Sequence, residues 1–220
     1  QALAAADTAN AVLEGDDATT DAVTPTVRLG NICQISDKVA RVSGTQLAVE
    51  HAGRDDELAY QETLKGLELK RDMESILVGT NQAKNAGADA TARKTASILS
   101  WIKTNTSKGT AGGAADPSAA DGTGTRTDGT QIAFTEARLK TVLAACANSG
   151  GKPDTIYTGT FNKQVFSTFT GRSTPMEQAS SKKIVASVDV YESDFGKLNV
   201  VFDLFQRTRD VLVLQNEMWA

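Results

Sequence analysis

Aromatic side chains make up only 5% of this 220-residue chain, cysteine occurs twice and histidine once. Each scarcity excludes something. With so few aromatics beside a hydrophobic fraction of 40%, the core is expected to be thin, rich in alanine and threonine, and sufficient for one large domain or two small ones. Cys33 and Cys146 are too few and too far apart for a disulfide framework, so folding in a reducing cytoplasm is expected and both thiols read as small buried hydrophobes. His51, standing alone, offers no cluster with zinc-ligand spacing. No apolar run approaches the roughly 20 residues of a membrane-spanning helix and no secretory signal opens the sequence, so no membrane contact is expected. The chain begins at Gln1 rather than Met and reads as processed or partial. Positive charge is also short: 23 Lys and Arg against 27 Asp and Glu give a net charge of −4. Wrapping nucleic acid needs a basic surface, so any contact with DNA is expected to be weak and non-specific.

Catalytic signatures are missing too. The glycine-rich stretch 122–129 lacks the Gly-Lys-Ser/Thr ending of a phosphate loop and reads as a plain surface loop. Asp116, Asp121 and Asp128 lack the spacing of a loop that wraps a hard cation and read as solvated acids. His51 has no paired nucleophile motif, and Asp72 and Glu74, two apart on a helix, face different directions. The expectation is no catalytic residue, no metal and no cofactor.

What is present is one long helix, predicted over 54–79. A short carboxylate after Gly53-Arg54 can accept from the free first-turn amides, with Asp55 as the expected cap and Asp56 and Glu57 favoured by the helix dipole. Leu58, Leu64, Leu67, Met73, Ile76 and Leu77 draw an apolar stripe expected to face inward. Glu62 with Lys65, Glu68 with Arg71 and Lys70 with Glu74 are placed to pair along the polar faces, and Gly79 is the stop. Gly66 costs about 1 kcal/mol against alanine and invites a close neighbour.

Before this helix the sequence reads as an extended hairpin, turning between Glu14 and Pro25, with a helix over 2–13 as the alternative. A strand broken near Ser43-Gly44 is expected over 39–49. After it come a second helix over 90–104, with Ala92, Ala96, Leu99 and Ile102 inward, and a third over 135–148. Between Ile102 and Ile132 no large apolar or aromatic residue occurs, which predicts a flexible loop or one that orders on a neighbour. A strand over 155–158, a short aromatic-faced helix over 161–169, paired strands over 183–191 and 197–202 around Asp194-Phe195-Gly196, and a last strand over 210–214 complete a mixed α+β order without repeats.

Taken in order, Glu14-Gly15-Asp16-Asp17, Arg28-Leu29-Gly30-Asn31-Ile32-Cys33-Gln34-Ile35, Val42-Ser43-Gly44-Thr45-Gln46, Ala52-Gly53-Arg54-Asp55-Asp56-Glu57-Leu58-Ala59-Tyr60-Gln61 and Glu68-Leu69-Lys70-Arg71-Asp72-Met73-Glu74, followed by residues 191–196, resemble a major capsid (head) protein of tailed bacteriophages. Glu74, Ile76, Leu77 and Gly79 also match the way the phage-head fold ends its long helix. The resemblance covers most of the chain.

It implies an α+β capsid fold: an extended β-hairpin loop over 1–36, a peripheral domain over 37–89 carrying a spine helix over 54–79, an axial domain over 90–182 with a flexible loop over 105–131, and returning strands over 183–220. Family members usually carry an arm before this start and residues after Trp219-Ala220, so the peripheral domain is not expected to be whole. Function follows as a structural protein, not an enzyme, tiled with itself into pentamers and hexamers of an icosahedral virion shell assembled in the host cytoplasm. Decoration, scaffold or portal proteins are further expected partners, with packaged DNA touched only weakly. The residues expected at subunit contacts are Glu14, Asp16, Asp17, Arg28, Gln34, Lys70 and Arg71. The alternatives are a head-decoration or other accessory virion protein, and a hydrolase using Asp72, Glu74 or His51.

Overall fold

Four short strands carry the core: β1 (Thr155–Thr158), β2 (Val190–Ser193), β3 (Gly196–Phe202) and β4 (Val211–Leu214), in the sheet order β2-β3-β1-β4. This is seen in a computed structural model that describes residues 6–17, 20, 23, 25–50, 52–53, 56–169 and 188–219. β1 runs parallel to β3 and antiparallel to β4, with Ile156 opposite Val200 on one side and Val213 on the other. β2 and β3 form the expected hairpin, closed at the Ser193↔Gly196 pair, where Ser193 Oγ accepts from Phe195 N and donates to Gly196 O. The expected strand over 183–191 begins, among described residues, at Val190; residues 183–187 lie outside them.

The sheet is buried on both faces because its strands alternate apolar residues to opposite sides. One face packs Ile156, Leu198 and Val200 against Leu139 and Leu143 of helix α3 (Glu136–Asn148) and Phe166 of helix α4 (Thr160–Phe166). Phe166 sits among Phe134, Phe169 and the edge of Tyr191, with ring centroids 5.2–6.5 Å apart. The other face packs Leu212 and Leu214 against Leu99. Each fully buried aliphatic or aromatic side chain contributes roughly 1.5–3 kcal/mol. α3 starts where the sequence predicts it, with Thr135 Oγ1 accepting from Arg138 N.

The long helix, α2 (Glu57–Val78), follows a short helix, α1 (Gly44–Ala48). At ~1.5 Å per residue α2 spans about 33 Å. Its cap is Asp56, whose Oδ1 accepts from Leu58 N and Ala59 N at 2.8 and 3.1 Å, so the cap falls one residue after the expected Asp55, which lies outside the described residues along with Arg54. The helix ends at Gly79, whose N–H donates to Ser75 O and where a Cβ would meet Phe205 O at 2.6 Å. Among the residues of α2, Val78 alone is buried, and Leu67, Met73 and Leu77 are exposed. The inward stripe is thus corrected: the half-buried face runs instead through Leu58, Leu64, Glu68, Leu69, Asp72 and Ile76. The expected pairing of Lys65 with Glu62 and of Glu68 with Arg71 is corrected: Lys65 and Glu68 pair with each other at 2.8 Å, three residues apart, and nothing lies within 4 Å of a Cβ added at Gly66.

Three further expectations change. Residues 39–49 are not a strand, because Ser43 Oγ accepts from Gln46 N and caps α1 instead. Residues 90–104 are not a helix: Asn85↔Lys94 and Ala88↔Thr91 form antiparallel bridges around a turn, and a single 3-10 turn follows at Ile98–Ser100. Two side chains take amides that a helix would have used, as Thr95 N donates to Gln34 Oε1 (3.3 Å) and Ala96 N to Asn31 Oδ1 (2.8 Å). Ala96 and Leu99 are buried as expected, whereas Ala92 is exposed. Finally, residues 105–131 are tied down by polar groups rather than apolar ones. Lys84 N donates to Gly122 O (2.7 Å), Ala115 and Thr127 exchange backbone bonds, and Arg126 Nη2 donates to Ile102 O (2.9 Å).

Gln1–Gly30 forms a separate unit from Asn31–Ala220. Among its described residues there is no helix or strand, and residues 2–5 of the alternative helix lie outside them. The expected turn is there: Gly15 has φ +87° and Asp16 N donates to Leu13 O. The ladder of the expected hairpin is not found among the described residues.

Candidate assembly surface

In the second unit, residues 31–42 run as an extended segment fastened by polar side chains. Gln34 Oε1 accepts from Gln82 Nε2 at 3.0 Å as well as from Thr95 N, and Lys38 Nζ meets Asp72 Oδ2 of α2 at 2.7 Å. The hydrogen bond to Asp72 raises the Lys38 ammonium above its ordinary pKa, and the one from Lys65 lowers the Glu68 carboxyl below its own. Half-buried Gln34 and Ser36 therefore face the body while Cys33 and Ile35 point out, Ile35 being 86% exposed. Ile32, Ala40 and Val42 are half-buried as well, so the inward side of the segment mixes polar and apolar residues. Cys33 is thereby corrected from buried to exposed, while Cys146 is half-buried and burial raises its thiol pKa.

α2 adds a second outward surface. Tyr60, Leu67, Met73 and Leu77 are exposed there, Lys70 is free to solvent on the same helix, and the Arg71 guanidinium lies 5.7 Å from the Phe205 ring centroid. In the first unit Glu14, Asp16, Asp17 and Arg28 are all exposed, beside Val12, Leu13, Val23 and Val27. The structure thus leaves six of the seven expected contact residues outward or half outward and draws Gln34 into bonds within its own chain. His51 lies outside the described residues. Asp72 is committed to Lys38, and among the described residues no group of three or more His, Cys, Asp or Glu could hold a metal ion.

A cleft of about 620 Å³ opens beside β4 and α3, lined by Ile102, Ile132, Phe134, Val142, Cys146 and Trp219 among others. Next to it lies an ion network that sequence reading missed. Arg126 Nη1 contacts Asp116 Oδ1 at 2.8 Å, Lys108 also pairs with Asp116, and Asp128 holds both Arg207 and Arg209. The Arg126 to Asp116 contact is ionic without hydrogen-bond alignment at Oδ1, as is that of Arg207 with Asp210 at 3.2 Å. Burial raises the Asp210 carboxyl pKa, against the opposing pull of Arg207. Asp116 and Asp128 are therefore not merely solvated acids, and Asp121, accepting from Thr123 N and Oγ1, is held below its ordinary pKa. The available signal was the residue mix itself: a stretch without large apolar residues must order through charge and hydrogen bonds if it orders at all.

Apolar side chains thus lie outward on α2 and on residues 31–42, and contiguous exposed apolar surface marks places where another molecule can pack. Comparison gives the family. The model of the SU10 major capsid protein family matches residues 1–220, and the chain belongs to that family, which is structural and not enzymatic. The chain is also 43% identical over 88 residues to a major capsid protein of Escherichia phage Phieco32, a match covering 40% of this chain and 25% of that relative.

Proposed function

We propose that this capsid-family chain self-assembles into the icosahedral shell of a tailed-phage head, its copies grouped as pentamers and hexamers. The observation that carries this reading is the outward apolar surface of the unit Gln1–Gly30, of residues 31–42 and of α2. Val12, Val27 and Ile35 are each more than four-fifths exposed, while Ile156, Leu198, Val200, Leu212 and Leu214 of the sheet are buried. Exposed patches of that kind are buried in an assembly. Low affinity at each contact suffices, since closed symmetry multiplies it.

In this reading residues 1–36 are the extended loop, 37–89 the peripheral domain with α2 as its spine, 90–182 the axial domain and 183–220 the returning strands. Glu14, Asp16, Asp17 and Arg28 on the loop and Lys70 and Arg71 on the spine meet neighbouring copies, and Gln34 holds the extended segment in position for them. The loop's unladdered backbone finds partners on a neighbour. Net negative charge keeps the inner wall from gripping packaged DNA, and assembly takes place in the host cytoplasm, with decoration, scaffold or portal proteins as further contacts. Electron microscopy of purified protein tests the reading: closed hollow particles are expected, and a tube, a ring or a monodisperse monomer at high concentration would sink it.

A further inference from the structure

Six buried side-chain atoms lack a hydrogen-bond partner among the described residues, and all six belong to residues 116–126 or 206–210. Three are donors, Arg126 Nε, Gln206 Nε2 and Arg207 Nη1, and three are acceptors, Asp116 Oδ1, Gln206 Oε1 and Asp210 Oδ2. Native interiors leave few such atoms, and an even mixture of both kinds is what water, which donates and accepts alike, satisfies. An anion would answer the donors alone and a cation the acceptors alone.

The same residues carry the attachment of the 105–131 loop. Asp128 holds Arg207 and Arg209 of the segment joining β3 to β4, and Arg209 Nη2 donates to Gly129 O at 2.6 Å. Arg126 N donates to Asn81 Oδ1 at 2.9 Å, and Lys84 N to Gly122 O at 2.7 Å. Apolar attachment is slight by comparison. Within the loop Pro117 and Gly122 alone are buried, and a Cβ on Gly122 would meet the Trp101 ring at 2.9 Å. Polar contacts that exchange for water part at a small net cost, whereas opening the core around β1 forfeits its whole apolar burial.

We infer that the 105–131 loop is a latched wall of the cleft beside β4: water fills its seam with the 206–210 segment, and the loop parts from the body in one step while the sheet stays folded. Asn105, Thr106, Ser107, Arg126 and Gln131 of the loop all line that cleft, so each opening widens it. Arg207 is the catch, held by Asp128 on the loop and by Asp210 on its own segment.

Hydrogen exchange resolved to single amides tests the latch. The Lys84 and Arg126 amides bond across the seam, to Gly122 O and Asn81 Oδ1, and neither of them to Asp128. In the wild type both are expected to show one common opening constant, roughly tenfold larger than that of the β1 amides. Asp128→Ala, at an exposed position, is expected to raise it about tenfold for both and to leave β1 unchanged. Trp101 gives an independent readout. With Trp219→Phe it is the sole tryptophan, and acrylamide quenching of its emission is expected to rise about twofold on adding Asp128→Ala. Lys84 and Arg126 amides exchanging no faster than β1 would overturn the latch. So would an effect of Asp128→Ala on Arg126 but not on Lys84, which is local fraying, or equal quenching of Trp101 in the two proteins. None of these readouts depends on shell formation, so the shell reading stands or falls separately.

Discussion

The sheet and α2 hold comparable apolar residues and use them in opposite ways. Around β1, Leu139, Leu143, Ile156, Phe166 and Leu198 are each 1% exposed or less, whereas Leu67 and Met73 of α2 are more than half exposed. The two regions differ in shape rather than composition. A mixed sheet presents two broad faces that α3, α4 and the 98–100 turn can cover, while a single rod of about 33 Å has more lateral surface than one extended segment can shield. Stability within the chain therefore resides around the sheet, and exposed apolar surface is concentrated on α2 and residues 31–42.

That contrast can be broken most sharply at Phe166. Phe166→Ala removes the ring that Phe134, Phe169 and Tyr191 surround, and a loss of about 3–5 kcal/mol is expected in urea unfolding. A loss under 1 kcal/mol would mean the sheet is not where the chain's stability lies. Next in size is Arg126→Ala, which removes the side-chain bond to Ile102 O and leaves Asp116 with Lys108 and the Thr106 hydroxyl. About 1.5–3 kcal/mol should be lost, and limited proteolysis should begin within the loop.

Tyr191 offers a milder probe. Its hydroxyl donates to Glu136 Oε1 at 3.3 Å, and burial, then the Glu136 charge, push its pKa up to about 12. The unfolded chain loses this proton near pH 10 and the folded chain only near 12, so the contribution is full below pH 10 and is lost as pH rises between those values. Tyr191→Phe should cost about 1 kcal/mol at neutral pH and flatten the fall in melting temperature across that window. Equal slopes for the two proteins would remove Tyr191 from the effect.

The smallest stability change is expected at Leu67. Since it is 54% exposed, Leu67→Asp should shift subunit stability by no more than about 0.5 kcal/mol while suppressing particle formation. A large drop in melting temperature would instead place Leu67 against the body and end the contrast between rod and sheet.

Much of this was legible in the residues. The strands at 155–158 and 211–214, the hairpin at Asp194-Phe195-Gly196, α3 and the extent of α2 to within three residues follow from alternation, caps and turn chemistry, which act over a few neighbours. Asp16, Asp17, Arg28 and Lys70, the residues proposed for contacts, are exposed, as their charge leads one to expect. What escaped depended on groups distant in sequence. Asn31 and Gln34 reach more than 60 residues along the chain to claim the amides of Ala96 and Thr95 and so prevent a helix that local propensity favours. Arg126, Asp116 and Arg207 form a network no spacing rule anticipates.

The sequence by itself determined the mixed element order, the absence of recognised catalytic motifs and the acidic balance, because composition and short-range periodicity act before any fold exists. Which face of α2 is covered was decided only by tertiary structure. Helical spacing puts Leu58, Leu64 and Ile76 on one side and Leu67, Met73 and Leu77 on another without ranking them, and the Lys38 to Asp72 ion pair lies on the half-buried one. Burial is a property of what arrives from elsewhere in the chain, and local pattern carries no record of that arrival.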